Sequence, residues 1–248
     1  MLTHLARQAA SLVAPTLTQR YADRRYWLRQ GRAFQHALSG AAGLGDKVDL
    51  ALGHKQFYTA QKRAEILGLA ERVHALRPAR SAEIGCYAGG TLALFAQAAP
   101  PDARILSVDI QYMEFRDAAA PGFARNSQQI ACLTADTHQP ATVGKVMRWL
   151  AGTPLEFLFI DGDHSYEGVE ADFRMYAPLV RPGGLIGFHD IVLDYRQRYG
   201  RETPADVGGV PQFWAALKAK GYAVEELIED PDQDGMGIGI VKWDGTLR

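Results

Sequence analysis

Two acidic residues of this chain directly follow apolar runs and could act together. Asp161 comes after LEFLFI at residues 155–160, and Asp190 comes after LIGFH at residues 185–189. Neighbouring strands of a sheet lie about 4.8 Å apart, so carboxylates at matching strand ends can converge. Two bare carboxylates at that separation repel each other, and one keeps its proton unless a cation lies between them. A divalent metal ion with oxygen ligands would be such a cation.

A second group of candidate ligand-binding residues begins at the glycine-rich stretch EIGCYAGGT, residues 83–91. Its glycines let the backbone pass close to a ligand. The helix that starts there offers free N–H groups to a carboxylate or a phosphate. The next apolar run ends on Asp109, an acid suited to the two hydroxyls of a ribose. The third run ends near Asp136, which could reach an adenine. The GxxxGG spacing differs from GxGxxG and disfavours a nicotinamide or flavin site.

Alternating strands and helices would place these residues along one edge of a sheet. Short runs that are apolar on both faces, separated by helical stretches, predict a parallel sheet covered on both sides. A further pair of strands, joined by EDPDQDG at residues 229–235, predicts a hairpin instead of a helical crossover. The predicted strands are Ser81–Ile84, Ile105–Val108, Ile130–Leu133, Leu155–Ile160, Leu185–Phe188, Tyr222–Ile228 and Met236–Trp243.

The region before the sheet has a different character. Residues 1–55 are predicted to form a helical extension or lid, and residues 56–248 the main domain. SGAAGLGDK at residues 39–47 is predicted to be a mobile linker, and a helix is predicted over residues 56–76. The first fifteen residues read as an amphipathic helix and not as a signal peptide.

Composition limits the classes of function. The formal net charge is -1, which gives no electrostatic footprint for nucleic acid, so no nucleic-acid partner is expected. No stretch is apolar for long enough to span a membrane. The two cysteines form neither a disulfide framework nor a CxxC site, and a reducing, cytoplasmic location is expected.

Four stretches of the sequence resemble a known family. EIGCYAGGT, SVDI, FIDGDHSYEGVEADF and LVRPGGLIGFHDI are similar to the class I S-adenosylmethionine-dependent methyltransferases, in particular the branch with sugar and macrolide-sugar O-methyltransferases. The resemblance implies a doubly wound, Rossmann-like α/β fold whose seven-stranded, mostly parallel sheet has an antiparallel last strand. It also implies an S-adenosylmethionine pocket. The pocket residues expected are Glu83, Gly85, Tyr87, Gly90, Thr91, Asp109, Asp136 and Asp161.

The resemblance also assigns roles to the residues that follow the fourth and fifth predicted strands. It implies that Asp161 and Asp190 bind a divalent metal, Mg²⁺ or Mn²⁺, and it has a second acid where this chain has His189. Imidazole is a poor ligand for Mg²⁺ and a better one for Mn²⁺, Fe²⁺ or Zn²⁺. His189 is therefore either a ligand of a softer ion or a structural residue. Ile191 stands where some relatives carry an amide ligand, which counts against a metal.

A histidine at the position of His164 acts as the general base in the resembling sugar methyltransferases. An acceptor alcohol must lose its proton as its oxygen attacks the sulfonium methyl group, and a histidine titrates near neutral pH. Ser165 could cap the helix that follows. Asp163 reads more readily as a brace of the loop than as a catalytic group.

The acceptor is expected to be a small molecule or a saccharide. A long connection at residues 193–214 is typical of a lid, and its basic and aromatic side chains either contact the acceptor or are simply solvated. Those side chains are Tyr195, Arg196, Arg198, Tyr199 and Arg201. Aromatic residues of the extension cover the cofactor or form a homodimer contact. They are Tyr21, Tyr26, Trp27 and Phe34, with Phe57 and Tyr58.

Three other functions remain open from the sequence. One is a metal-independent methyltransferase acting on a small molecule such as a phenol. Another is a non-catalytic cofactor-binding partner in glycan assembly. A nicotinamide oxidoreductase is disfavoured by the glycine spacing and by the terminal hairpin.

Overall fold

A seven-stranded sheet forms the centre of the fold in the computed structural model, which describes residues 17–248. Its strands are β1 (Arg80–Ile84), β2 (Arg104–Asp109), β3 (Gln129–Thr134), β4 (Leu155–Ile160), β5 (Val180–His189), β6 (Val224–Leu227) and β7 (Ile238–Lys242). They lie in the order β3-β2-β1-β4-β5-β7-β6. The first five strands pair in parallel, and β7 runs antiparallel to both of its neighbours. The predicted fold class and the predicted hairpin are confirmed.

Helices cover both faces of the sheet. They are α1 (Leu17–Gly40), α2 (Leu44–Leu52), α3 (Arg63–Leu76), α4 (Gly90–Ala98), α5 (Glu114–Ala119), α6 (Pro140–Leu150), α7 (Tyr166–Tyr176), α8 (Tyr195–Tyr199) and α9 (Val210–Ala219). Short 3₁₀ turns follow α5 and α7, at Ala120–Phe123 and Ala177–Leu179. Among the described residues, no helix is both long and apolar enough to cross a membrane.

Strand β4 is apolar except for Glu156, whose carboxylate accepts a hydrogen bond from Arg181 at 3.2 Å. Successive side chains of a strand point to opposite faces of the sheet. Phe157 and Phe159 enter the core on one face, while Leu158 and Ile160 enter the core on the other. Because helices cover both faces, residues 157–160 are all apolar, whereas a strand exposed on one face would alternate apolar and polar residues.

The N-terminal helices pack into the same core as the sheet. Phe34, Leu38 and Phe57 are buried there. Gly31 of α1 lies so close to the carbonyl of Ala119 in α5 that an added Cβ would overlap it. The boundary predicted at residues 55/56 stays a prediction, and the amphipathic helix predicted for the first fifteen residues lies outside the described residues.

Two local predictions in this region are wrong. The stretch at residues 39–47 is not a linker, because α2 begins at Leu44 and buries Val48 and Ala51 against the core. Its glycines mark only a short break after α1. The helix predicted from residue 56 begins at Arg63, because residues 53–62 run as an irregular segment past the start of α4.

Candidate active site

A cavity of about 770 Å³ opens at the carboxyl ends of β1, β2, β4 and β5. Parallel strands end at the same edge of a sheet, so residues far apart in the chain meet there. The volume lies in the range of small-molecule sites. Nine of the predicted site residues line it: Gly85, Tyr87, Thr91, Asp109, Asp136, Asp161, His164, His189 and Asp190.

Glu83 and Gly90 are the two predicted site residues that do not line the cavity. The side chain of Glu83 lies beneath the loop after β1, where burial raises the pKa of its carboxyl well above the ordinary value. Its Oε2 has no hydrogen-bond partner among the described residues. Gly90 is turned away because its N–H donates to the carbonyl of Tyr58 at 3.2 Å.

Asp109 organises the loop after β1. Its Oδ2 accepts the backbone N–H groups of Cys86 (2.9 Å) and Tyr87 (3.1 Å) and the guanidinium of the buried Arg116 (2.7 Å). Its Oδ1 accepts one N–H, from Gln111 at 2.8 Å. A carboxylate oxygen has about two lone-pair sites, so Oδ1 retains a free acceptor position toward the cavity.

Gly85 shows how closely the loop after β1 approaches the end of β4. Its φ is 79°, and an added Cβ would overlap the carbonyl group of Asp161. The backbone N–H of Asp161 in turn donates to the carbonyl of Ile84 at 2.8 Å. Only glycine fits this position, and the loop after β1 is therefore held against the end of β4.

The acids and histidines at the ends of β4 and β5 form a compact cluster. The Nδ1 of His189 lies 3.2 Å from Asp161 Oδ1 and 3.2 Å from Asp190 Oδ2. The Nε2 of His164 lies 3.4 Å from Asp190 Oδ2 and 3.8 Å from Asp161 Oδ1. The side chains of His189 and Asp190 are buried, and His189 Nε2 has no partner among the described residues.

The orientation of His164 is fixed from behind. Its Nδ1 lies 2.6 Å from the carbonyl oxygen of Asp206. A carbonyl only accepts, so Nδ1 carries the hydrogen and Nε2 is the nitrogen that faces the cluster. On its other side, Ser165 Oγ accepts the N–H of Gly168 at 3.0 Å and caps α7, as predicted. Asp163 braces this loop by accepting the N–H of Ser165 at 2.8 Å.

The cluster shifts the pKa values of its members in opposite directions. The nearby carboxylates of Asp161 and Asp190 raise the pKa of His164 to about 9 against the effect of burial. Burial lowers the pKa of His189, but the two carboxylates outweigh it and raise that pKa well above the ordinary value. Burial also acts to raise the pKa of Asp161, and the two histidines outweigh it and hold that pKa below the ordinary value.

The donor set of this cluster fits a divalent transition-metal ion. Asp161, His164 and Asp190 each offer a ligand atom, and these atoms lie within 4.8 Å of one another. Two carboxylates combined with imidazole nitrogen suit Mn²⁺, Fe²⁺ or Zn²⁺ better than Mg²⁺. His189 Nδ1 also lies 3.2 Å from both carboxylates, so an ion held by Asp161, Asp190 and His189 would leave Nε2 of His164 free and would offset the negative charge that raises the pKa of His164.

Several cavity residues were not predicted as site residues from the sequence. Thr59 and Gln61 line the cavity from the irregular segment before α3, while Pro204 and Met236 line it from the opposite side. The segment before α3 carries no glycine motif, and its aromatic residues Phe57 and Tyr58 are the ones predicted from the sequence to cover the cofactor or form a dimer contact. The tyrosines Tyr58 and Tyr87 share a hydrogen bond of 2.8 Å between their hydroxyls at the cavity.

The connection at residues 193–214 lines the cavity with residues other than those predicted. Tyr195, Arg196, Arg198, Tyr199 and Arg201 do not line the cavity; Pro204, Ala205 and Asp206 of the same connection do. Two of these side chains instead contact the connection between β6 and β7. Tyr195 Oη donates to the Asp232 carbonyl at 3.0 Å, and Arg198 donates to the Pro231 carbonyl at 3.1 Å.

Three of the six described non-glycine residues with positive φ lie at the cavity. Tyr87, Asp190 and Met236 have φ values of 41°, 62° and 63°, in the left-handed region that disfavours residues with a side chain. All three line the cavity. Such conformations cost about 1–3 kcal/mol each and persist where the surroundings enforce them.

Comparison with known proteins identifies the class of this fold. Residues 82–191 match the family model described as Methyltransferase domain. An uncharacterized protein of Sinorhizobium fredii is 25% identical over 174 residues, which is 67% of this chain and 17% of that protein. The chain therefore spans less than a fifth of the length of that curated relative.

Solved structures agree with the family match. The O-methyltransferase TomG of Streptomyces achromogenes, in complex with SAM, superposes with a TM-score of 0.57, 18% identity, and coverage of 90% of this chain and 99% of that chain. The methyltransferase MycE of the mycinamycin biosynthetic pathway, in complex with Mg, SAH and mycinamycin VI, superposes with a TM-score of 0.54 at 17% identity. The superposition covers 83% of this chain and 54% of the MycE chain. The chain has the class I methyltransferase fold.

Proposed function

We propose that the protein transfers a methyl group from S-adenosylmethionine to a hydroxyl group of a small molecule. The observation that carries the proposal is that one cavity holds both Asp109 and the cluster of Asp161, His164 and Asp190. The first is suited to a ribose, and the second to the deprotonation of an alcohol. Both stand at the strand ends where ligands bind in folds of this kind.

The cofactor would lie along the loop after β1. Asp109 would accept a ribose hydroxyl, and Asp136, two residues after β3, would contact the adenine; both residues line the cavity. Asp136 Oδ1 accepts the N–H of His138 at 2.9 Å, which fixes the loop at that end. TomG and MycE were crystallised with SAM and SAH respectively, which supports the same cofactor for this chain.

His164 would act as the general base. In the proposed step, the acceptor oxygen forms a bond to the methyl carbon while the bond from that carbon to sulfur breaks. The hydroxyl proton passes to Nε2 of His164, and S-adenosylhomocysteine leaves as a neutral thioether. The Asp206 carbonyl holds the ring in the orientation that this transfer needs.

Asp161 and Asp190, together with an imidazole, would hold a divalent ion. Such an ion would lower the pKa of an acceptor hydroxyl. His189 is a candidate ligand, since its Nδ1 lies 3.2 Å from both carboxylates. MycE contains Mg, but the imidazoles of this chain favour Mn²⁺ as the first ion to test.

A saccharide or glycosylated metabolite is the acceptor class to test first, because the resembling branch methylates sugars and a metal can grip neighbouring hydroxyls. The proposed experiment measures SAM and SAH binding by calorimetry, then transfer of a labelled methyl group to panels of glycosides and phenols, with Mn²⁺ or with EDTA. His164→Asn is compared with His74→Asn on the exposed face of α3.

The expected result is SAH binding, Mn²⁺-dependent transfer to a hydroxyl, and loss of transfer in His164→Asn alone. Loss of a general base reduces turnover by about 10²–10⁴-fold. Transfer that survives EDTA would replace the metal-assisted mechanism with a metal-independent one. Binding without transfer to any acceptor would instead indicate a non-catalytic cofactor-binding partner, and absence of SAH binding would refute the proposal.

A further inference from the structure

We infer that Gln61 is a positioning residue that sets the orientation of the Asp161 carboxylate. The inference rests on the proposed function, in which Asp161 belongs to the reaction centre. Gln61 lies in the irregular segment between α2 and α3, one hundred residues before Asp161. Its side chain is buried and lines the cavity.

Gln61 makes contacts at both ends of its amide group. Nε2 donates to Asp161 Oδ2 at 2.8 Å. Oε1 accepts the hydroxyl of Thr91 at 3.1 Å and also that of Thr59. The carboxylate can only accept and the hydroxyls can donate, so this network fixes which end of the amide is nitrogen.

The contact gives the two carboxylate oxygens of Asp161 different partners. Oδ2 is engaged by Gln61, which leaves Oδ1 as the atom that faces the two imidazoles. Oδ1 lies 3.2 Å from His189 Nδ1 and 3.8 Å from His164 Nε2. Without the amide, the carboxylate could rotate about its last torsion and both oxygens would compete for the imidazoles.

The type of residue matters as much as its place. An amide is a neutral donor, so it stabilises the ionised carboxylate without adding charge to the cluster. A glutamate in its place would set two carboxylates against each other and raise the pKa of one of them. An apolar residue would leave Asp161 Oδ2 without its hydrogen-bond partner.

The segment that carries Gln61 is itself anchored. The N–H of Thr59 donates to the Ala51 carbonyl of α2 at 3.3 Å, and the N–H of Gly90 donates to the Tyr58 carbonyl at 3.2 Å. Through Thr91, the first turn of α4 is joined to Gln61 and so to Asp161. The N-terminal helices thus hold one side of the reaction centre in place, which gives them a role beyond covering the core.

A matched control is available in Gln97. It is as buried as Gln61, with 5% of each residue exposed. Its Oε1 accepts from Ser39 Oγ and Lys47 Nζ, both at 3.3 Å, and it does not line the cavity. Gln61→Met and Gln97→Met remove the same amide and keep a side chain of similar length. Any difference between the two variants in chemistry therefore reports position and not burial.

The experiment compares both variants with the wild-type protein in steady-state kinetics, SAH calorimetry and thermal unfolding. We expect Gln61→Met to lower kcat by about 10–100-fold, the usual effect of losing the partner of a metal-binding or catalytic group. The KM for S-adenosylmethionine and the Kd for SAH should stay within about threefold, because the lost contact bears on the reacting group and not on uniform binding. Gln97→Met should change only the melting temperature.

A crystal structure of Gln61→Met provides a readout independent of turnover. We expect the Asp161 carboxylate to rotate away from its wild-type orientation while Thr91 and the loop after β1 stay in place. An unchanged Asp161 orientation, or equal kcat in Gln61→Met and the wild type, would overturn the inference. If the wild type bound no SAH, the proposed function would fail instead, while the orientation of Asp161 would still decide the role of Gln61.

Discussion

A carboxylic acid outside the reaction cluster gives a sharp test of the fold's electrostatics. Asp172 lies on α7 with none of its surface exposed. Neither of its oxygens has a hydrogen-bond partner among the described residues, and the nearest cation candidate, His138 Nε2, is 3.4 Å from Oδ1. The perturbation proposed is Asp172→Asn, which keeps the shape of the side chain and removes its ability to ionise.

The magnitude follows from the pKa of the buried acid. Burial raises the pKa of Asp172 from 3.8 to about 6. Each pKa unit is worth about 1.4 kcal/mol, so the ionised carboxylate costs the folded state about 3 kcal/mol. Between these two pKa values the folded protein binds more protons than the unfolded chain. The free energy of unfolding therefore falls as the pH rises through this range, and the loss persists at higher pH.

The assay is thermal unfolding of the wild type, Asp172→Asn and the exposed control Asp102→Asn at pH 4 and pH 8. At pH 8, Asp172→Asn should melt higher than the wild type by roughly 6–12 °C, given the usual relation of free energy to melting temperature at this size. The difference should shrink by pH 4, where the folded-state acid is protonated and the unfolded-state acid, with its pKa of 3.8, is partly protonated. A variant no more stable than the wild type at pH 8, or a difference independent of pH, would refute the reasoning.

Two further substitutions test backbone geometry. Gly90→Ala should lower the free energy of unfolding by about 1–3 kcal/mol, because the added Cβ would overlap the backbone of Tyr58 and Thr59. The control Gly144→Ala should not lower it, because the nearest neighbour of its added Cβ is the flexible Arg148 side chain at 3.5 Å. Equal melting temperatures for the two variants would contradict this prediction. Ala151→Gly should raise the free energy of unfolding by about 1 kcal/mol in a urea titration, since Ala151 ends α6 with φ 51° and ψ 43°, and a loss of stability would show that this conformation carries no strain.

Much of the fold could be predicted from the sequence because its strands are short, apolar and regularly spaced. β4 was predicted at its observed bounds, since a run buried on both faces stands out between a proline and an acid. The residues after each strand follow from the same pattern. Once parallel strands are assigned, Asp109, Asp161 and Asp190 must meet at one edge.

Other features depend on contacts that no local pattern reveals. Gln61 reaches the cluster from a segment without regular structure, and its partner is one hundred residues away. Glu83 belongs to the predicted motif, but it is a residue of β1 whose side chain is buried and does not line the cavity. The glycines of residues 39–47 have weak helix propensity and predict a mobile linker. The burial of Val48 and Ala51 in α2 outweighs that weak propensity.

The position of β7 governs the order in which the molecule can assemble. β7 lies between β5 and β6 and is the only partner of β6 among the described strands. Until residues 238–242 leave the ribosome, the backbone N–H and C=O groups on one edge of β5 have no strand partner, and β6 has no strand on which to dock. A growing chain thus exposes a template for pairing with other chains until β7 closes it.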